Sequence, residues 1–221
     1  MPALEKAVSD GAEWLEVDTY ATRDNVSYLS HDSTVDRTTP GSGSVVSKTA
    51  AQMDAIPLDD GSRQLRADEA LQLAKRSDRR ILLELRGLGT DPAATMDALA
   101  ASIRAASTDR VVVESISATW LGQIKALLPK VETVLVTYAG SGLPSVAKLR
   151  AAHADGSVVD QTIVTDRWLT TMAAARMDVF VYVSNSPSDW SRFAGKVAGD
   201  LTDQVPKFVE WATPANCRPR P

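Results

Sequence analysis

The sequence predicts an α/β fold: a parallel barrel of the (β/α)8 TIM type, incomplete, with its first strand missing. Three observations predict it. Short apolar runs alternate with amphipathic helical stretches along the whole chain, the pattern of a parallel sheet with helical crossovers. Helix punctuation recurs after the runs, as in Asp91-Pro92 and Ser186-Pro187, where a capping residue precedes a proline at the first helical position. The first run is followed by six further strand–helix units in 221 residues, whereas a closed barrel takes eight units and about 250 residues. The shortfall falls at the front, because the chain opens inside a helical pattern.

In order, a helix over 3–10 leads into a strand at 12–18, AEWLEVD, and a short strand at 26–30, VSYLS. Residues 37–66 lack apolar periodicity and are rich in Ser, Thr, Gly and Asp, so they form a long functional loop with one short helix near 49–54. The helix over 67–76 precedes RILLEL (80–85), and the Asp91-Pro92 helix runs over 92–106. Strands at 110–115, 131–136, 158–162, 177–183 and 199–202 then alternate with helices at 119–128, 144–153, 165–175, 187–196 and 204–212. Residues 1–213 read as a single domain and 214–221 as a C-terminal tail.

Composition narrows the function. The chain is 44% hydrophobic with a formal charge of −4 and no basic block, which argues against nucleic acid or an anionic membrane as partner. No apolar run approaches the roughly 20 residues of a membrane span. Cys217 is alone, so no internal disulfide forms, and nothing near it in sequence lowers its pKa. MPALEKAV has no basic segment followed by an apolar one. The chain therefore reads as cytoplasmic as written, or as secreted if its true start lies upstream.

Side chains alternate across a strand. In EWLEVD, Trp14, Glu16 and Asp18 share one face; in ILLELR, Leu82, Glu84 and Arg86 do. Inward residues near the C-terminal ends of barrel strands face the active-site mouth, so these acids and Arg86 are expected to converge there. Two carboxylates 4 Å apart repel by about 4 kcal/mol at an effective dielectric of about 20. A divalent cation reverses that sign, and all-oxygen ligands select Mg²⁺ or Ca²⁺ over zinc. The competing readings are an amphipathic strand with its polar face in water and a structural ion pair for Arg86. His31 stands where a strand leaves the sheet and can exchange a proton near neutral pH. His153 ends a helix and reads as structural or surface.

AVSDGAEWLEVDTYATRDNVSYLSHDSTVDRTTPGSGSV resembles the signature region of glycerophosphodiester phosphodiesterases: an acid-x-acid strand, a T-x-D-x turn, His-Asp, then D-R-T-T ending in glycines. LLELRG resembles that family's Glu-x-Lys strand, VVVESIS its strand ending in Ser, VFVYVSN its Trp-Thr-x-Asn strand, and AGDLTDQVP its closing Gly-x-x-Thr-Asp-x-Pro segment. The resemblance implies a TIM barrel that hydrolyses a small-molecule glycerophosphodiester to glycerol phosphate and an alcohol with a divalent cation, Mg²⁺ or Ca²⁺. It implies that Glu16, Asp18 and Glu84 hold the metal and that His31 is one of two histidines doing acid–base work. Arg86 would contact the phosphate, and Tyr182 would line the mouth.

The departures are specific. The family's opening His-Arg-Gly strand and Glu-Asn-Thr segment have no counterpart here, so its other histidine, a phosphate-binding arginine and a further glutamate are unmatched, and His153 fits neither motif. Arg86 stands for a lysine and Tyr182 for a tryptophan. The missing strand would lie between 12–18 and 199–202, leaving open edges that a homodimer would cover. Two alternatives follow: a catalytically inactive relative that binds a phosphodiester or a protein partner, and a lyase-type relative that stops at a cyclic phosphate.

Overall fold

The computed structural model describes residues 1–212; Cys217 and the tail at 214–221 lie outside them. The strands are β1 (Trp14–Ala21), β2 (Ser27–Leu29), β3 (Arg80–Gly87), β4 (Val111–Ser115), β5 (Glu132–Thr137), β6 (Gly156–Asp160), β7 (Asp178–Tyr182) and β8 (Gly199–Asp200). The helices are α1 (Pro2–Ser9), α2 (Ala50–Asp54), α3 (Ala67–Arg76), α4 (Pro92–Ala106), α5 (Ala118–Leu127), α6 (Val146–Ala151), α7 (Asp166–Ala174), α8 (Pro187–Phe193) and α9 (Val205–Trp211). The sheet runs β2-β1-β3-β4-β5-β6-β7-β8. Every pairing from β1 through β8 is parallel, and only β2 is antiparallel, folded back on β1.

This is the incomplete TIM-type barrel that the strand–helix alternation predicts. Outward residues of β1, β3 and β4, such as Leu15, Val17, Ile81, Leu83 and Val113, pack against α3 and α4. The interior holds Leu82, Val112, Val134, Val136, Val158 and Phe180, with Trp14 and Tyr182 packed on them. Trp14 meets Phe180 edge-on at 5.2 Å, with the Arg80 guanidinium 3.9 Å from the Trp14 ring centroid.

β1 and β8 do not pair. A cavity of about 620 Å³ separates them, lined by Trp14 and Glu16 on one side, Asp200 and Leu201 on the other, and Phe208 and Trp211 of α9. The seam is narrower than the sequence suggests. β2 covers the upper edge of β1 through the pairs Thr19–Leu29, Tyr20–Tyr28 and Ala21–Ser27, and the Ser30 amide donates to the Asp18 carbonyl at 2.9 Å. Only the lower half of that edge stays open.

The predicted strand at 158–162 instead spans Gly156–Asp160. Gly156 has no side chain to mark it, yet a Cβ there would sit 2.0 Å from the Asp178 carbonyl oxygen. Residues 161–163 turn away as a 3₁₀ segment capped by the Asp160 carboxylate. α8 stops at Phe193, three residues short of the predicted 196, ahead of Gly195 at φ 70°.

Candidate active site

Strand register brings the acids together. Asp18 pairs with Glu84, and Glu84 with Glu114, so three carboxyls occupy one row across β1, β3 and β4. Glu16 lies two residues lower on β1, opposite Leu82. Arg86 lies two residues beyond Glu84, on the same face of β3. Its Nη1 donates to Asp18 Oδ1 at 3.0 Å and to Glu84 Oε2 at 2.9 Å. Gly87 follows at a close approach: a Cβ there would lie 2.3 Å from the Tyr20 ring, so glycine lets that ring lie across the end of β3.

The electrostatics follow from burial and like charge. Burial, with repulsion from Asp18 and Glu84, raises the Glu16 carboxyl to about 8. Protein encloses that carboxyl on several sides, but Glu16 is exposed through the seam, and water there works against the shift. Burial also raises Glu84, helped by its bond to Asp18 and opposed by Arg86. Glu114, 2% exposed, is raised well above the carboxylate range by burial and then by Glu16, Glu84 and Asp18. Burial would lower the Arg86 guanidinium, yet Glu84 and Asp18 outweigh it and hold the proton more tightly than usual.

His31 follows β2 and opens on a cleft of about 540 Å³ that it shares with Glu16 and Asp18. Its Nδ1 bonds Asp32 Oδ1 at 2.8 Å, and Arg37 Nε donates to Asp32 Oδ2 at 2.6 Å. These contacts, Arg37's first, lower Asp32 to about 2. The loop behind His31 is anchored on a buried cluster of Tyr28, Val35, Val45 and Met53. Tyr28 Oη lies 2.6 Å from Asp54 Oδ1 and accepts from Arg66 Nε at 3.2 Å. Thr49 and Gln52 form a capping box that starts α2.

Tyr182 reaches the mouth from β7, its hydroxyl donating to the Thr137 carbonyl at 3.1 Å, and burial raises its phenol to about 12. The late motifs meet one another: Asn185 Nδ2 donates to Asp203 Oδ2 at 3.0 Å, and Asn185 Oδ1 accepts from Thr202 Oγ1 and the Asp203 amide. The Asp203 charge acts in turn on Glu16. His153 lies elsewhere, at the end of α6 with its ring against Gly122 of α5 and its carbonyl accepting from Thr133, as its sequence position suggested.

Among the described residues, no group of three or more acidic, His or Cys side chains is gathered tightly enough to grip one ion, with Arg86 bridging Asp18 and Glu84. The donor chemistry nonetheless fits a hard cation. Four carboxyls face one guanidinium, and Glu114 Oε2 is buried without a partner. The sequence reading does not single out Glu114, although an acid within VVVES carries the same signal as Glu84 within ILLEL.

The match to known families settles the lineage. Residues 1–207 match the profile of the glycerophosphoryl diester phosphodiesterase family. The chain belongs to that family. It is a phosphoric diester hydrolase by that resemblance, and its fold is that of solved phosphodiesterases. It superposes on an Oleispira antarctica phosphodiesterase in complex with the product sn-glycerol-3-phosphate with a TM-score of 0.85 at 18% identity, covering 95% of this chain and 89% of that one. A glycerophosphodiester phosphodiesterase from Agrobacterium tumefaciens gives 0.78 at 20% identity over 95% and 91%. One from Thermotoga maritima gives 0.75 at 16% identity over 95% and 89%. No sequence match to curated proteins was found. Among the described residues of this phosphodiesterase, no helix is long and apolar enough to cross a membrane.

Proposed function

We propose that the chain hydrolyses glycerophosphodiesters to glycerol phosphate and an alcohol with a divalent cation, Mg²⁺ or Ca²⁺, held by Glu16, Asp18 and Glu84. The cation would supply positive charge for a phosphoryl oxygen as the P–O bond breaks. The observation that carries the reading is that His31 shares one cleft with Glu16 and Asp18, beside the bridge from Arg86 to Asp18 and Glu84.

His31 is oriented for proton exchange at Nε2. Asp32 engages Nδ1, and Arg37 in turn fixes Asp32. From the cleft, Nε2 takes a proton from an attacking hydroxyl or gives one to the departing alcohol oxygen. Arg86 is the phosphate contact: with Asp18 and Glu84 otherwise neutralised, its planar guanidinium can grip two phosphoryl oxygens. Tyr182 lines the substrate side of the mouth.

The test is release of glycerol phosphate from a glycerophosphodiester in Mg²⁺, in Ca²⁺ and in EDTA, for the wild-type chain and for His31→Asn. Turnover that disappears with EDTA and with the variant supports the reading. A chain that takes up the cation and leaves the diester intact contradicts it.

The open lower edge of β1 opposite β8 favours a second reading. In it the chain is a catalytically inactive relative that binds a phosphodiester or a protein partner, with a second copy paired along the seam as a homodimer. Light scattering that finds only monomer counts against the homodimer.

A further inference from the structure

Glu114 has no assigned role, and its surroundings give it one. Val112 belongs to the interior cluster while Val111 and Val113 pack outward on the helices. By strand alternation Glu114 therefore points into the barrel, one step nearer the mouth than Val112. Its neighbour in register on one side is Glu84, and on the other Val134, an apolar residue of the same interior. It is 2% exposed, and its Oε2 meets no hydrogen-bond partner. The charges that bear on it most are those of Glu16, Glu84 and Asp18, with Arg86 the accompanying cation. That guanidinium donates to Asp18 and Glu84.

An acid placed this way stands against the interior it occupies. A buried polar atom without a partner is destabilising, and a charged one more so. A hard cation removes that cost, because it supplies the missing partner and the missing charge together.

We infer that Glu114 is a further oxygen ligand of the divalent cation, completing the row Asp18–Glu84–Glu114 from β4. This inference rests on the cation-dependent reading above.

The test is calorimetric titration of Ca²⁺ or Mg²⁺ into chelator-stripped wild-type protein and Glu114→Gln, with melting of both in EDTA. The amide keeps the shape and removes the charge. The expected result is cation affinity weaker in the variant by at least the roughly 10–100-fold that losing a group behind the ligands brings, with melting in EDTA no lower than wild type. Wild-type protein that takes up no cation overturns the cation-dependent reading along with this assignment. Wild-type protein that binds, with a variant that binds equally tightly, overturns the assignment alone. Should the variant fail to fold, Mn²⁺ soaked into wild-type crystals decides: an anomalous peak at ligand distance from Glu114 supports the inference, and a peak touching only Glu16, Asp18 and Glu84 refutes it.

Discussion

Arg86 Nη1 donates to Asp18 Oδ1 at 3.0 Å, joining β3 to β1 at the mouth of the barrel. The same nitrogen reaches Glu84 at 2.9 Å, so one guanidinium neutralises two of the three acids assigned to the cation. Arg86→Met should therefore destabilise the chelated protein, by up to about 3–5 kcal/mol, since it strands two largely buried carboxylates. Saturating Ca²⁺ should restore most of the loss. Melting curves in EDTA and in Ca²⁺ check this, and an equal loss in both conditions contradicts it.

The pH dependence has a definite sign. Glu84 and Glu114 are buried and hold their protons above the ordinary value of 4.5, as does Glu16, raised to about 8. Above 4.5 the folded chain holds protons on Glu84 and Glu114 that the unfolded chain has released, so stability falls as pH rises through that window. Carboxyls held low, such as Asp32 at about 2, titrate below it. Melting temperature in EDTA should thus decline from pH 5 to pH 8, and saturating Ca²⁺ should flatten the decline. A melting temperature that rises across this window in EDTA would show that Glu84 and Glu114 are not held protonated.

His31 is exposed, with 62% of its side chain open to solvent, so a substitution should leave the fold intact. His31→Asn should lower kcat by about 10²–10⁴ while melting stays unchanged. Asp32→Asn should act in the same direction and less strongly, because it loosens the imidazole without removing it. Steady-state kinetics beside circular dichroism separates loss of chemistry from loss of structure.

Tyr28 ties the loop behind His31 to α2 and Arg66. Tyr28→Phe removes a hydroxyl with three polar neighbours and should cost about 1–3 kcal/mol. Limited proteolysis should then cut within residues 37–66 sooner than in wild type. Unchanged cleavage and stability would mean that the apolar cluster alone holds the loop.

The barrel was legible because its strands obey one rule: interior positions of β1 and β3 carry the unusual polar residues, and exterior ones are aliphatic. That rule brought Glu16, Asp18, Glu84 and Arg86 to one mouth. It applies equally to Glu114, a single acid among valines in VVVES, where the family resemblance rests on the terminal Ser. β2 was legible as a strand, but its antiparallel return over the edge of β1 was not, because a run of three residues carries no directional signal. The contact between Asn185 and Asp203 joins segments 18 residues apart; it depends on where the β7 and β8 loops end in space, which local pattern does not encode. The two-residue offset of β6 came from Gly156, whose missing side chain is what lets β7 approach.

The account rests on buried carboxyls, Glu84 and Glu114, whose protons give way to one divalent cation. Calorimetric titration of Ca²⁺ into the chelator-stripped chain at pH 7, repeated in two buffers of different ionisation enthalpy, measures that exchange directly. One ion bound per chain with net proton release is the predicted result. No binding, or binding without proton release, would contradict it.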